Sequence, residues 1–423
     1  MKIKKRVIAT AVIALASISL TACSGSGSSG TAASGKIGGT LTGVFFSGFK
    51  STYEKIAQDF EKKYPNVKVK FNYQGGDVGS LVMTQLQAGT APDILTSFPG
   101  GDPTDNADTL AALAAHNRIL PLTASWTGQI PKAWETSFNY KGKTYAYPGA
   151  LQPLSAIYNK SKLDELGLKI PATLDDVYQL CKDAKAKGVY AYGQGLDATS
   201  QGPQFLTFAQ NATLIDGPDP QFSDKLASGK ATYPTSPYVK QFQIYQKMFN
   251  DGCFGDGSIG RTRDQAATEV AAGHALGIVD VGAVLPTLQK AAPKSTFAIA
   301  AMPATNDGKT YITALPGFVT TINAKAKNPA TAQAFLDFMG TPEASLVYAQ
   351  GFSSVPVLPN DKYKAPAELK DFAALIADGK FAPLETLQAP VQAALNQSVQ
   401  SMLLGNDTPK GVAEKLQAAY TKP

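Results

Sequence analysis

Histidine and cysteine are scarce in this chain: two and three residues respectively in 423. His116 and His274 both sit among alanines, with no His-Glu-x-x-His pattern and no His/Cys/Asp group at ligand spacing. No metal site and no cofactor are therefore expected. A Gly-x-Ser-x-Gly elbow is also missing, and no two carboxylates stand in a recognisable acid/base motif, so the usual marks of a hydrolase are absent. The Gly-Gly pairs at 75–76 and 100–101 extend to neither a dinucleotide nor a triphosphate loop and read as turns. Tryptophan occurs twice, at Trp126 and Trp134. After Leu20 no stretch of about 18 consecutive apolar residues appears, which excludes a later membrane-spanning helix.

The amino end is unlike the rest. Lys2, Lys4, Lys5 and Arg6 precede an apolar stretch from Val7 to Leu20, the pattern of a secretory leader rather than of a span. Removing residues 1–22 takes away four basic and no acidic residues, leaving 35 against 33 and a net charge of +2. No nucleic-acid footprint survives that correction. Leu20-Thr21-Ala22-Cys23 resembles the bacterial lipobox, and the resemblance implies cleavage before Cys23 and a lipid anchor on it. The alternative is a plain secretory leader cut after Ala22. Residues 23–36 are mostly Ser, Gly, Ala and Thr and read as a flexible tether.

Beyond the tether the elements alternate. Leu41 to Phe46 reads as a strand, and Tyr53, Ile56, Ala57, Phe60 and Tyr64 repeat at helical spacing, with Ser51 and Glu54 set as a capping box. Val67, Val69 and Phe71 alternate with polar residues as a second strand. Val78 to Leu86 is a helix stopped by Gly89, and Asp93 to Thr96 is a third strand. This βαβαβ order predicts a doubly wound sheet with its ligand site at the carboxyl ends of the strands. The pattern recurs with a strand over Ser155 to Asn159, a helix over Thr173 to Lys187 and a strand over Val189 to Gly193. Asn328-Pro329, Thr341-Pro342 and Thr408-Pro409 open later helices. Cys181 and Cys253 are expected to form a disulfide, although Cys181 on the stripe Leu174, Val177, Cys181, Ala184 also reads as a small buried hydrophobe.

Several segments, in order, resemble the extracellular solute-binding proteins of carbohydrate ABC importers, the maltose-binding-protein-like family. They are Tyr53 to Gln74 (YEKIAQDFEKKYPNVKVKFNYQ), Ala88 to Ile94 (AGTAPDI), Tyr140 to Lys160 (YKGKTYAYPGALQPLSAIYNK), Gly317 to Gly351, and Gly405 to Leu416. The resemblance implies an α/β fold of two doubly wound lobes joined by a hinge. Its crossings would fall near Tyr147 to Ala150, near Met302-Pro303 and near Ser354 to Pro356. The first lobe would then comprise 37–149 plus 304–351, and the second 150–303 plus 352–423.

The same resemblance implies a set of ligand-binding residues. From the first lobe come Phe46 and Phe49 after the first strand, Gln74 and Asp77 after the second, and Phe98, Gly101 and Asp102 after the third; Gln152 lies in the crossover. From the second come Gln201, Gln204 and Asp280, with Phe318, Glu385 and Gln392 as a looser outer group. Asp77 also reads as an N-cap, and Asp93 as a brace for its loop. Arg261 and Arg263, in a Gly-rich stretch, read as an exposed surface loop, with a grip on a carboxylated sugar as the alternative. The family's usual tryptophan platform has no counterpart, because Trp126 and Trp134 precede the Lys141-Gly142-Lys143 turn. The implied function is capture of a neutral sugar, an oligosaccharide or glycoside, by a lipid-anchored monomer on the outer face of the membrane, for delivery to an ABC permease. A surface-tethered glycan hydrolase and a receptor for a non-sugar solute are the alternatives.

Overall fold

The computed structural model describes residues 35–423 except 76, 102, 104–106, 385, 386, 422 and 423, so Cys23 and the leader lie outside the described residues. Strand β1 (Gly39–Phe46) leads through a 3-10 turn (Ser47–Phe49) straight into helix α1 (Lys50–Lys63). That continuity places Ser51 inside the helix, so the expected capping box does not form; the N-cap is Phe49, with no side-chain bond. Strand β2 (Val67–Gln74) follows, then α2 (Val78–Ala88), capped by Asp77 and stopped by Gly89 at φ 70°, then β3 (Ile94–Ser97). Strand β4 (Ala146–Tyr147) completes the first pass.

The chain then enters a second sheet through β5 (Ala150–Asn159), its ten-residue central strand. Helix α3 (Leu174–Ala186) is capped by Thr173 and Asp176 in a full capping box, and β6 (Tyr190–Tyr192), α4 (Gly202–Asn211) and α5 (Tyr238–Asn250) follow. Helix α6 (Arg263–Ala271) leads into β7 (Ala275–Val281), and β8 (Phe297–Ala300) and β9 (Ile312–Pro316) stay in this sheet. Cys181 on α3 and Cys253, just after α5, are disulfide-bonded with a Cα separation of 4.7 Å.

Strand β10 (Val319–Ile322) returns to the first sheet, followed by α7 (Pro329–Met339) and α8 (Pro342–Gly351). The chain crosses once more to β11 (Val355–Pro356), β12 (Phe381–Pro383), α9 (Ala389–Leu403) and α10 (Pro409–Ala419). The first sheet has the order β2-β1-β3-β10-β4, and the second β12-β9-β5-β7-β6 with β8 and β11 also on β5. Both are mixed: β10 runs antiparallel to β3, and β5 antiparallel to β7 and β9. The result is two α/β lobes.

Three segments cross between the sheets: 148–149, 317–318 and 352–354. The crossing expected at Met302-Pro303 is thus displaced to Gly317-Phe318, because Ile312–Pro316 pairs with β5 and keeps 304–316 with the second sheet. Gly149 shows why a crossing needs a special residue. Its φ is +62°, and a Cβ there would stand 3.0 Å from the Tyr348 ring. Asp93 ties the first lobe together: it is buried and accepts from Thr42 N (2.9 Å), Thr42 Oγ1 (2.7 Å), Lys327 N (2.7 Å) and Asn328 N (3.0 Å).

Candidate ligand-binding cleft

Strands β1, β2 and β3 are parallel and end at Phe46, Gln74 and Ser97, and Val319 at the start of β10 lies opposite Ser97 on that edge. In the second sheet β7, β9 and β12 end near one another at Val281, Pro316 and Pro383, beside the start of β5, and β6, parallel to β7, points to the same edge. Two of the crossings are only two residues long and join edge to edge. The carboxyl edges of the two sheets therefore face each other, and the space between them is the candidate site.

On the first lobe this edge carries an aromatic shelf. The Phe318 ring lies 4.3 Å from Phe46, 4.7 Å from Phe98 and 6.0 Å from Phe49, and Phe49 lies 5.6 Å from Phe46. Four of the sequence-derived residues are thus brought into one cluster, although Phe318 had been placed in an outer group. Phe352, missed in the sequence, extends the shelf at 4.6 Å from Phe49. Phe98 is 42% exposed; among the described residues only Leu404 is another large apolar side chain so open. Chain topology places it there: β3 ends at Ser97, so Phe98 stands just past the end of the strand, its backbone paired only with Thr109 in an isolated bridge.

The polar residues divide. Gln74 ends β2, with Nε2 donating to Asn72 Oδ1 at 2.8 Å. Asp77 caps α2, accepting from Ser80 N (3.0 Å) and Ser80 Oγ (2.6 Å), and those bonds hold its carboxyl below the usual range. Gly101 has φ +85° and packs so that a Cβ would meet Thr109 at 2.6 Å, so its part is to let the loop turn. Gln152 is half-buried on β5 with its Nε2 beside Gly317, at the point where the chain changes lobes. Asp102 and Glu385 lie outside the described residues.

In the second lobe two expected ligand groups are turned inward. Gln204 is 5% exposed; its N–H donates to Asn396 Oδ1 (3.2 Å) and its Oε1 accepts from Asn396 Nδ2 (3.1 Å), bracing α4 on α9. All ten residues of α4 are buried, so a glutamine there meets protein rather than solvent. Asp280 is 1% exposed and forms a two-pronged ion pair with Arg263, Nε to Oδ2 at 2.7 Å and Nη2 to Oδ1 at 2.5 Å. Burial pushes its carboxyl up, and the guanidinium together with the Val281 N–H pulls it back. Gln201 stays exposed at φ 62°, a left-handed conformation uncommon for glutamine, at the start of α4. Gln392 is half-buried on α9.

The arginines correct the reading of a surface loop. Arg261 donates to the carbonyls of Gln194 (3.3 Å), Phe254 (2.8 Å) and Asp256 (2.9 Å), tying the stretch after β6 to the turn after α5. Arg263 is the first residue of α6, behind a Thr262/Gln265 capping box. Thr-x-x-Gln was a legible signal that a helix, not a loop, starts there. Neither tryptophan offers a ring face: Trp126 Nε1 donates to Leu336 O (3.2 Å), and buried Trp134 stacks on Phe381 at 5.2 Å. Among the described residues no group of His, Cys, Asp and Glu could hold a metal ion, and no helix is long and apolar enough to cross a membrane.

Comparison with known proteins agrees with this architecture. The multiple sugar-binding protein of Streptococcus mutans is 22% identical over 302 residues, 70% of each chain. The melibiose/raffinose/stachyose-binding protein MelE of Bacillus subtilis is 24% identical over 204 residues, covering 47% of this chain and 45% of that one. Among solved structures, the solute-binding protein RafE in complex with raffinose superposes with a TM-score of 0.73 at 20% identity, covering 90% of this chain and 98% of that one; an apo form comes from Streptococcus pneumoniae. That likeness establishes the shared fold. Residues 47–345 match the model of the bacterial extracellular solute-binding proteins, so the chain belongs to that family of extracytoplasmic binding proteins.

Proposed function

We propose that this protein is the lipid-anchored receptor of an ABC importer and captures a neutral oligosaccharide between its lobes. The observation that carries the reading is the shelf of Phe46, Phe49, Phe98 and Phe318 at the edge facing the second lobe, with Phe98 left 42% exposed. A flat apolar face suits the C–H surface of a pyranose, while the amides of Gln74 and Gln152 can donate to and accept from hydroxyls. The names of relatives that bind multiple sugars or raffinose support the same ligand class. The lobes are taken as 37–149 plus 317–351 and 150–316 plus 352–423. A ligand that touches both at once binds the closed form better than the open one, shifting the hinge toward the form a permease reads. Binding and release complete the cycle without a chemical step, and a monomer suffices.

Ligand bound only to the native state stabilises it by roughly 2.7 kcal/mol at a hundredfold excess over Kd. In a melting screen, at least one of raffinose, stachyose, xylo-oligosaccharide or chito-oligosaccharide should raise Tm by a few degrees. Stabilisation solely by a charged solute would sink the neutral-sugar assignment. The anchor is tested separately: Cys23→Ala should move the protein from the membrane to the soluble fraction with ligand binding intact, and full retention in membranes after leader cleavage would remove the lipid from the reading.

A further inference from the structure

On the second lobe the residues of most chemical interest are a pair that the sequence set apart. Asp280 is the penultimate residue of β7 and Arg263 the first of α6. Their neighbours are the segment after β6 and the start of α4. The backbone of Thr262 presses on Gly195, and Gly202 lies against the Gly195 carbonyl so closely that a Cβ would overlap it. All four segments meet at the carboxyl edge of the second sheet, beside exposed Gln201.

The guanidinium there is fixed in orientation. Its Nε and Nη2 go to the two oxygens of Asp280, and one of its faces lies 5.1 Å over the Phe205 ring. Among the described residues Nη1 has no hydrogen-bond partner, on a side chain that is 35% exposed while its counterion is 1% exposed. Two residues earlier, Arg261 spends its donors on three backbone carbonyls, so the open edge of Arg263 is not a general property of this segment.

We infer that Arg263 contacts the ligand and sets its charge class: the free Nη1 edge donates to hydroxyls of a neutral sugar, and Asp280 cancels the charge that would otherwise select an anion. The inference rests on the sugar-binding reading above. An oriented guanidinium presents two N–H bonds in a plane, a match for vicinal hydroxyls, whereas lysine offers a point charge without the fork. Because Asp280 is 1% exposed and already accepts from Arg263 and the Val281 N–H (2.6 Å), it is withdrawn from the ligand and acts by holding the arginine. The second lobe then supplies the strong donor and the first lobe the apolar faces.

Two variants test this by calorimetric titration with whichever oligosaccharide of the panel stabilises the wild type. Arg263→Lys keeps a cation beside Asp280 but loses the fork, and should bind on the order of tenfold to a hundredfold more weakly with ligand-free Tm close to wild type. Asp280→Asn leaves the guanidinium charge uncancelled, and should gain binding of trigalacturonate, which the wild type is expected to reject, a change that a purely structural role would not produce. Wild-type sugar affinity in Arg263→Lys overturns the contact, and a folded Asp280→Asn that still rejects trigalacturonate overturns the charge-cancelling role. Should Asp280→Asn not fold, Arg263→Lys decides alone. If the wild type itself takes no neutral oligosaccharide, the sugar reading fails and this inference falls with it, a result distinct from an unaffected variant.

Discussion

Phe98 and Asp280 stand at equivalent places, each at the carboxyl end of a strand, yet their environments are opposite. Phe98 is an apolar ring left in solvent, which costs stability unless something covers it, and Asp280 is a carboxylate withdrawn from solvent, which is tolerable only with a cation paired to it. Removing Phe98 should therefore be cheap for folding and expensive for binding. Phe98→Ala is expected to leave the urea midpoint unchanged and to weaken oligosaccharide binding by about 1–2 kcal/mol, the value of covering part of an aromatic ring. Titration calorimetry and a denaturation curve check both halves. A large loss of stability would mean that the ring supports the Phe318 cluster rather than the ligand.

At the scale of elements, what local pattern could specify was legible and what distant pairing specifies was not. The apolar alternation of Val67, Val69 and Phe71 and the helical repeat from Tyr53 to Phe60 come from the periodicities of strand and helix, and β2 and α1 stand there. The Thr173, Thr341 and Thr408 caps are equally local, and each hydroxyl accepts a backbone N–H. The Ser51 box is local too, but the 3-10 turn ahead of it changed where the helix begins. The displaced crossing is a different kind of miss. Nothing in Ile312–Pro316 announces that its partner is Leu151 to Leu154, some 160 residues back, and without that pairing the strand cannot be assigned to a lobe. The site divides in the same way. The shelf residues follow strands and could be found by counting, whereas the inward turn of Gln204 depends on Asn396, a residue of α9 that the local sequence does not mention.

For the whole molecule the question is whether two lobes mean two folding units. Each sheet has its own helices, and a separate apolar cluster fills the second lobe around Tyr158, Tyr192, Phe242 and Tyr245. The other cluster does not stop at the hinge. It runs from Phe45, Phe60 and Ile94 of the first lobe through Tyr147, Ala150 and Leu151 into Ile157, Ile278 and Phe297 on the second sheet. Trp134 on Phe381 adds an aromatic contact between the lobes, and the described residues form one compact unit. Opening one lobe would strip apolar partners from the other, so unfolding should be a single cooperative transition despite the chain's size. Scanning calorimetry of the mature protein is expected to give one peak with calorimetric and van't Hoff enthalpies in agreement, and a saturating sugar should move that peak as a whole. Two resolved peaks, with ligand shifting only one, would show that the crossing strands are a flexible joint between independent domains, and the continuous cluster would then have no thermodynamic consequence.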